Sequence, residues 1–304
     1  MKRNWTDVDR FADKALHGLI MLLGVLVRSI SRRKSTVIAN LIGDFAYHIL
    51  KIRRPLVEQN LALTFPQKNS SDIKAIARKV YRNQAENIIE VLRLPMIKTA
   101  EDAARLLDID SRKILAKTVE QNKGCVVLSA HFGNWELLAL CSGLLIAPVT
   151  IVVKKVKNHA INQQINLLRT MRGNRVIYDW QALREGLRTL RKGGFLSILG
   201  DQSDPSGTFF TEFLGRRTSV FLGPAFFALH SGVPLFIVMC RRTEGGGYTV
   251  DIEEIDTTSF GKEKADAEEL ARRYTKVLER YIYQYPEEWF WLHNRWKREE
   301  ASQE

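Results

Sequence analysis

From residue 125 onward the chain alternates short, largely apolar runs with amphipathic stretches of helical period, and few folds tolerate that pattern. Cys125–Ala130, Val149–Val153, Arg175–Tyr178, Phe195–Leu199, Leu235–Arg241 and Tyr248–Ile255 read as strands. Asn134–Leu145, Asn158–Arg172, Gln181–Arg191, Gly223–Ser231 and Ala265–Tyr285 read as the helices between and after them. Uninterrupted apolar strands are buried on both faces. Strands that alternate with helices imply an α/β fold with a mostly parallel sheet flanked by helices. Upstream, Ser70–Leu94 carries Ile73, Ile76, Ala77, Val80, Tyr81, Ala85, Ile88, Ile89 and Leu92 at threes and fours, a helix ended by Pro95. Ala100–Leu107 and Arg112–Asn122 read as two short helices.

In such folds the chemistry sits where a strand ends and the next helix begins. At the first such junction the chain reads Ser129-Ala130-His131-Phe132-Gly133-Asn134-Trp135-Glu136. His131 falls at the strand end and Glu136 in the first helical turn, so a base and an acid are separated by one turn of chain. Taken alone, the His also suits a structural place and the Glu a first-turn acid favoured by the helix dipole.

The N-terminus reads differently. Ala15–Val27 runs without a charge between Lys14 and Arg28. At about 1.5 Å per residue it reaches about 20 Å, short of the roughly 30 Å hydrocarbon core. Ser31-Arg32-Arg33-Lys34 follows where a signal peptide would carry its small-residue cleavage site. Thr36–Ile52 is a second apolar stretch, with Lys51, Arg53 and Arg54 at its end. Apolar helices beside Lys/Arg clusters suit the surface of an anionic membrane. The expected organisation is therefore a membrane-anchoring helical segment over 1–54 and a catalytic domain over 55–304.

The 304 residues hold 46 Lys+Arg against 34 Asp+Glu, a net charge of +12, which favours nucleic acid, anionic lipid or an acidic carrier protein as partner. Nucleic acid is disfavoured because the aromatic residues cluster at the C-terminus and do not interleave with the basic ones, as a stacking platform requires. Cys125, Cys141 and Cys240 lie in apolar contexts without metal-ligand spacing and read as buried thiols of a reducing compartment. No metal site and no redox cofactor is expected.

Four segments together resemble the bacterial lipid A biosynthesis acyltransferases, the lauroyl/myristoyl transferases within the glycerolipid acyltransferase superfamily. They are HFGNWE at 131–136, a GDQSDPSG block followed by FFTEFLGRRTSV, the GPAFFALHSGVPLFIVMCRR segment, and YPEEWFWLHNRWK at 285–297. The resemblance covers about residues 15–298. It implies transfer of a fatty acyl chain from acyl carrier protein, as co-substrate, to a hydroxyl of a lipid A precursor at the cytoplasmic face of the bacterial inner membrane. His131 would be the general base, and Glu136 would orient it. The acceptor would attack the thioester directly, with no covalent acyl-enzyme. The oxyanion would meet the backbone N–H groups of Phe132-Gly133-Asn134 or nearby cations.

Substrate-binding candidates are Lys154, Asn158, Arg169, Asp201, Gln202, Arg216 and Arg217, the last two as holders of an acceptor phosphate. The family's aromatic-Arg-Pro sequence is replaced here by Val153-Lys154-Lys155, so Lys154 stands for the Arg without its planar fork. The same chemistry on a lysophospholipid or another glycolipid is the alternative. His293, Arg295, Trp289, Phe290, Trp291 and Trp296 belong to the terminal signature, with the aromatics expected to pack the end of the domain or to meet lipid.

Overall fold

In the computed structural model, residues 7–109, 118–121 and 123–297 are described, with side chains from residue 15 onward. The first five strands are β1 (Leu107–Asp108), β2 (Cys125–Ser129), β3 (Val149–Val153), β4 (Arg175–Tyr178) and β5 (Phe195–Leu199). A separate hairpin, β6 (Phe210–Phe213) and β7 (Arg216–Ser219), is followed by β8 (Leu235–Arg242) and β9 (Tyr248–Ile255). The main sheet has the order β1-β9-β8-β2-β5-β3-β4. All its neighbours are parallel except β8 and β9, which are joined through Gly245-Gly246-Gly247 and run antiparallel. The α/β class and the mostly parallel sheet read from the sequence are those found.

β2 lies at the centre, and every one of its residues is buried. Helices α6 (Trp135–Leu145) and α7 (His159–Thr170) connect β2 to β3 and β3 to β4, and α8 (Ala182–Arg191) connects β4 to β5. Two apolar cores result. One joins Val126, Leu128, Leu196 and Ile237 to α9 (Gly223–Ser231), α10 (Lys264–Gln284) and the C-terminal tryptophans. The other joins Val127, Ile151, Phe195 and Val238 to Leu137, Leu140 and Cys141 of α6. Alternate side chains of each strand enter opposite cores, as the two-residue strand period requires.

The N-terminal half is helical: α1 (Asp7–Ser29), α2 (Arg32–Phe45), α3 (Arg54–Thr64), α4 (Ser70–Arg93) and α5 (Ala100–Ala104). Asn69 caps α4 by accepting from the Asp72 N–H at 2.9 Å. Gly43 of α2 meets the α4 backbone so closely that a Cβ there would lie 2.6 Å from Arg82 Cα. Glycine thus sets the separation of the two helices. Among the described residues, no helix is long and apolar enough to cross a membrane. α1 and α2 nevertheless expose a dense apolar set, including Leu22, Val25, Leu26, Val37, Leu41 and Phe45.

One sequence reading changes. Ala100–Leu107 is a helix only to Ala104, and Leu107 then pairs with Tyr248 as an edge strand. Most of the helix expected over Arg112–Asn122 lies outside the described residues.

Candidate active site

Register builds the site. β2 and β5 run parallel with Ser129 opposite Leu199, and the Gly200 N–H donates to the Ser129 carbonyl at 3.0 Å. His131 and Asp201 each lie two residues beyond those partners, so the two chains leave the sheet at the same height. His131 Nδ1 is 2.8 Å from Asp201 Oδ1, and Trp289 Nε1 donates to Asp201 Oδ2 at 2.8 Å. The Asp201 side chain is 1% exposed and that of His131 is 23% exposed. Burial by itself would raise the Asp201 carboxyl pKa. The His131 charge and the hydrogen bonds from His131 and Trp289 outweigh it and hold the carboxyl below its usual range. An ionised Asp201 on Nδ1 fixes the imidazole tautomer and leaves Nε2 as the basic atom.

The loop that carries His131 depends on Gly133. Its φ is +56°, and a Cβ there would lie 1.6 Å from the Cys240 carbonyl oxygen. Only glycine lets the loop turn so closely over β8. The C-terminal segment crosses the same loop: Gly133 N–H donates to Glu288 O at 3.0 Å, and Phe290 N–H to His131 O at 2.9 Å. Beneath lies a buried polar network on α4. Asn87 Nδ2 donates to Gly133 O at 2.8 Å, and Asn134 Nδ2 to Glu90 Oε2 at 2.7 Å. Arg242, at the end of β8, binds Glu288 Oε2 at 2.6 Å and also donates to Asn87 Oδ1. Each buried charge is partnered, as its burial demands.

An apolar cavity of about 320 Å³ opens beside His131. It runs between the sheet and α6, lined by Val127, Val149, Ile151, Phe195, Val238 and Ile252, among others. Its polar lining includes His131, Glu136, Lys154, Arg169 and Gln202. An apolar cavity with a few polar groups beside an imidazole suits an apolar ligand with a polar end.

The expected partners of His131 need correcting. Glu136 does not bond His131; its carboxylate receives Arg169 Nε at 2.8 Å and Nη2 at 2.5 Å. The helix turns Glu136 toward α7, and Asp201, placed among the substrate-binding candidates, takes the orienting position. Two of the three backbone donors expected for the oxyanion are also engaged. Phe132 N–H donates to Ala130 O at 2.7 Å and Gly133 N–H to Glu288 O at 3.0 Å. Asn158 caps α7, accepting from Ile161 N–H at 2.9 Å. Lys154 and Gln202 do line the cavity; Gln202 Nε2 is 3.4 Å from both imidazole nitrogens, too even a distance for a directed bond to either. Arg216 and Arg217 lie away from this cavity. Arg216 donates to Asn60 Oδ1 at 3.2 Å and sits over the Trp296 ring, and Arg217 lies 6.0 Å from the Phe210 ring.

The cysteines are buried, and desolvation raises the Cys141 thiol to about 12 and the other two higher still. None supplies a thiolate nucleophile. In the terminal signature, Arg295 is buried and donates to Thr218 Oγ1 at 2.6 Å and Ser219 O at 2.8 Å. Burial lowers the His293 imidazole to about 4. The place of Trp289 in the signature was visible in the sequence, but its bond to Asp201 was not.

The family model for bacterial lipid A biosynthesis acyltransferases matches residues 10–298. The chain belongs to that family. This acyltransferase is 24% identical over 259 residues to the lipid A biosynthesis palmitoleoyltransferase of Escherichia coli (strain K12), covering 84% of this chain and 82% of that one. It is 23% identical over 259 residues to the lauroyltransferase of the same organism, covering 84% and 83%. It is also similar to a phosphatidylinositol mannoside acyltransferase of Mycolicibacterium smegmatis, 27% identical over 218 residues, covering 68% and 67%.

Proposed function

We propose that this acyltransferase moves a fatty acyl chain from an acyl carrier protein thioester to a hydroxyl of a lipid A precursor. The observation that carries the reading is the His131–Asp201 pair beside an apolar cavity. The chain lies in the cavity with its thioester carbonyl beside His131. His131 Nε2 takes the proton of the acceptor hydroxyl as the oxygen attacks that carbonyl, and Asp201 stabilises the imidazolium. The tetrahedral intermediate then expels the carrier thiolate, to which the imidazolium returns the proton. Lys154 and Gln202 are the donors along the cavity best suited to the oxyanion. Glu136 and Arg169 hold each other and bring α6 and α7 together at the cavity mouth. No covalent acyl-enzyme forms.

The apolar face of α1 and α2, flanked by Arg33, Lys34, Lys51 and Arg53, rests in the cytoplasmic leaflet of the inner membrane without crossing it. That placement brings a membrane-held acceptor to the enzyme. The similarity to a phosphatidylinositol mannoside acyltransferase favours a second reading, the same chemistry on another glycolipid. Mass spectrometry of lipids from a deletion strain separates the two. Loss of one acyl chain from lipid A with other lipids intact supports the first, and an intact lipid A overturns it.

A further inference from the structure

The acyl-transfer reading places the reaction at His131, and Gly133 and Asn134 turn the chain from that residue into α6. Both are held by α4. Asn87 Nδ2 donates to Gly133 O at 2.8 Å, and Asn134 Nδ2 donates to Glu90 Oε2 at 2.7 Å. Asn134 is 1% exposed and is fixed at its other end as well. Its Oδ1 accepts the Leu137 N–H at 3.0 Å and so caps α6. With both ends of the amide committed, the path from His131 into α6 follows the place of Glu90.

Glu90 is 6% exposed, and Asn134 is one of three donors to it. Its Oε2 also accepts the Tyr248 hydroxyl of β9, and its Oε1 receives Arg32 at the start of α2. One turn back on α4, Glu86 accepts the Thr36 hydroxyl of α2 at 2.9 Å and forms an ion pair with Arg242 at 3.3 Å. Arg242 in turn donates to Asn87 Oδ1. Arg28 and Arg93 latch the junction of α1 and α2 to the same helix: Arg28 donates to Leu92 O and Arg93 to Ile30 O, each at 2.9 Å. Glu86, Asn87 and Glu90 thus form one polar stripe on α4, bonded on one side to α2 and on the other to the His131 loop. A buried carboxylate is costly once a donor is lost, so a change at one partner of Glu90 is felt at the others.

We propose that Glu90 is a positioning residue for the reaction. Through Asn134 it holds the His131 loop where the imidazole meets Asp201, and through Arg32 it takes its own position from α2. This assignment rests on the acyl-transfer reading above. Glu90 does not line the cavity beside His131; it acts through Asn134.

The test is a donor reversal. In Asn134→Asp the side chain still caps α6, but an oxygen now faces Glu90 Oε2. Adding Glu90→Gln returns one donor to that contact from the opposite side and restores the wild-type charge. Transfer from a defined acyl-carrier thioester to a lipid A precursor is measured for wild type, Asn134→Asp, Asn134→Asp/Glu90→Gln, Arg32→Gln and Arg32→Lys. The imidazole resonances of the same proteins are recorded by NMR, with His131 assigned from His131→Ala. In Asn134→Asp, kcat falls by about 10- to 100-fold, the range of one charge-assisted bond, with KM for both substrates within about threefold. The double variant recovers to within about fivefold of wild type, and its His131 resonance returns with it. Arg32→Gln lowers kcat by about 3- to 10-fold, and Arg32→Lys restores it. If Asn134→Asp fails to fold, Asn134→Ser keeps a cap, removes the donor and carries the same expectation. Wild-type kcat in a folded Asn134→Asp or Arg32→Gln, or a double variant no better than Asn134→Asp, overturns the assignment. A wild type that transfers nothing fails the acyl-transfer reading. The His131 resonance, which needs no turnover, then decides this one, and an unshifted signal in Asn134→Asp overturns it.

Discussion

Replacing Asp201 by Asn tests the geometry at the base. The Asp201 carboxylate receives two bonds of 2.8 Å, from His131 Nδ1 and Trp289 Nε1. An indole N–H only donates, so the Asn carbonyl oxygen must face Trp289. Its NH2 then faces His131 Nδ1 and forces that atom to accept. The imidazole proton moves to Nε2, the atom that has to be bare to act as a base. One charge-assisted bond is worth about 1.5–3 kcal/mol, or about one to two decades in rate. Reversal of the tautomer adds to that, and the corresponding swap in a Ser-His-Asp triad lowers kcat by about 10⁴-fold. We expect kcat to fall by about 10³- to 10⁴-fold with KM within about threefold, because Asp201 is buried behind His131. The assay is steady-state transfer from an acyl-carrier thioester, with Glu136→Gln in parallel. Glu136 touches Arg169 and not His131, so its variant should lose at most about 10-fold in kcat, in line with one weakened charge-assisted bond. A Glu136→Gln loss as deep as that of Asp201→Asn, or an Asp201→Asn enzyme within about 10-fold of wild type, would refute the reasoning.

Trp289→Phe removes the donor to Asp201 together with part of a buried ring, so kcat should fall by about 10-fold and the melting temperature should drop as well. Gly133→Ala forces a Cβ into the Cys240 carbonyl at a positive φ; a loss of at least about 3 kcal/mol in chemical denaturation is expected, beyond the usual range for single substitutions. The folded His293 has its pKa lowered to about 4, below its unfolded value, so the unfolded chain binds the extra proton first as pH falls. Stability should therefore drop between about pH 6.5 and pH 4, and His293→Gln should flatten that limb in denaturation at pH 7 and pH 4.5. Thiol-alkylating reagents should leave turnover of the native enzyme unchanged, because all three cysteines are buried.

The strands and helices from residue 125 onward were legible because a buried parallel strand must be apolar and its crossover helix amphipathic. Cys125–Ser129 and Phe195–Leu199 are found where those runs lie. His131 was legible from its place after such a strand. Its partner was not, because Asp201 joins it only through the β2–β5 register, which places residues 70 apart at one height. Glu136 drew the role by proximity in sequence, but the first helical turn points it at Arg169. Asn158 resembled a polar site residue for the same reason that it makes a good helix cap. The network of Asn87, Glu90, Arg242 and Glu288 carried no local signal: each is a polar residue in an otherwise ordinary segment, and only the packing of α4 under the His131 loop joins them. The N-terminal apolar runs were legible as helices with an apolar face. Gly43, which lets α2 approach α4, did not stand out among them.

The account turns on His131 as the base for direct attack on the thioester. The decisive measurement is mass spectrometry of the lipid product from purified enzyme, a defined acyl-carrier thioester and a lipid A precursor, for wild type and His131→Ala. The account predicts one added ester-linked acyl chain with wild type and none with His131→Ala, which should still fold and bind vesicles. Acylated product from His131→Ala at a rate near that of wild type would contradict it.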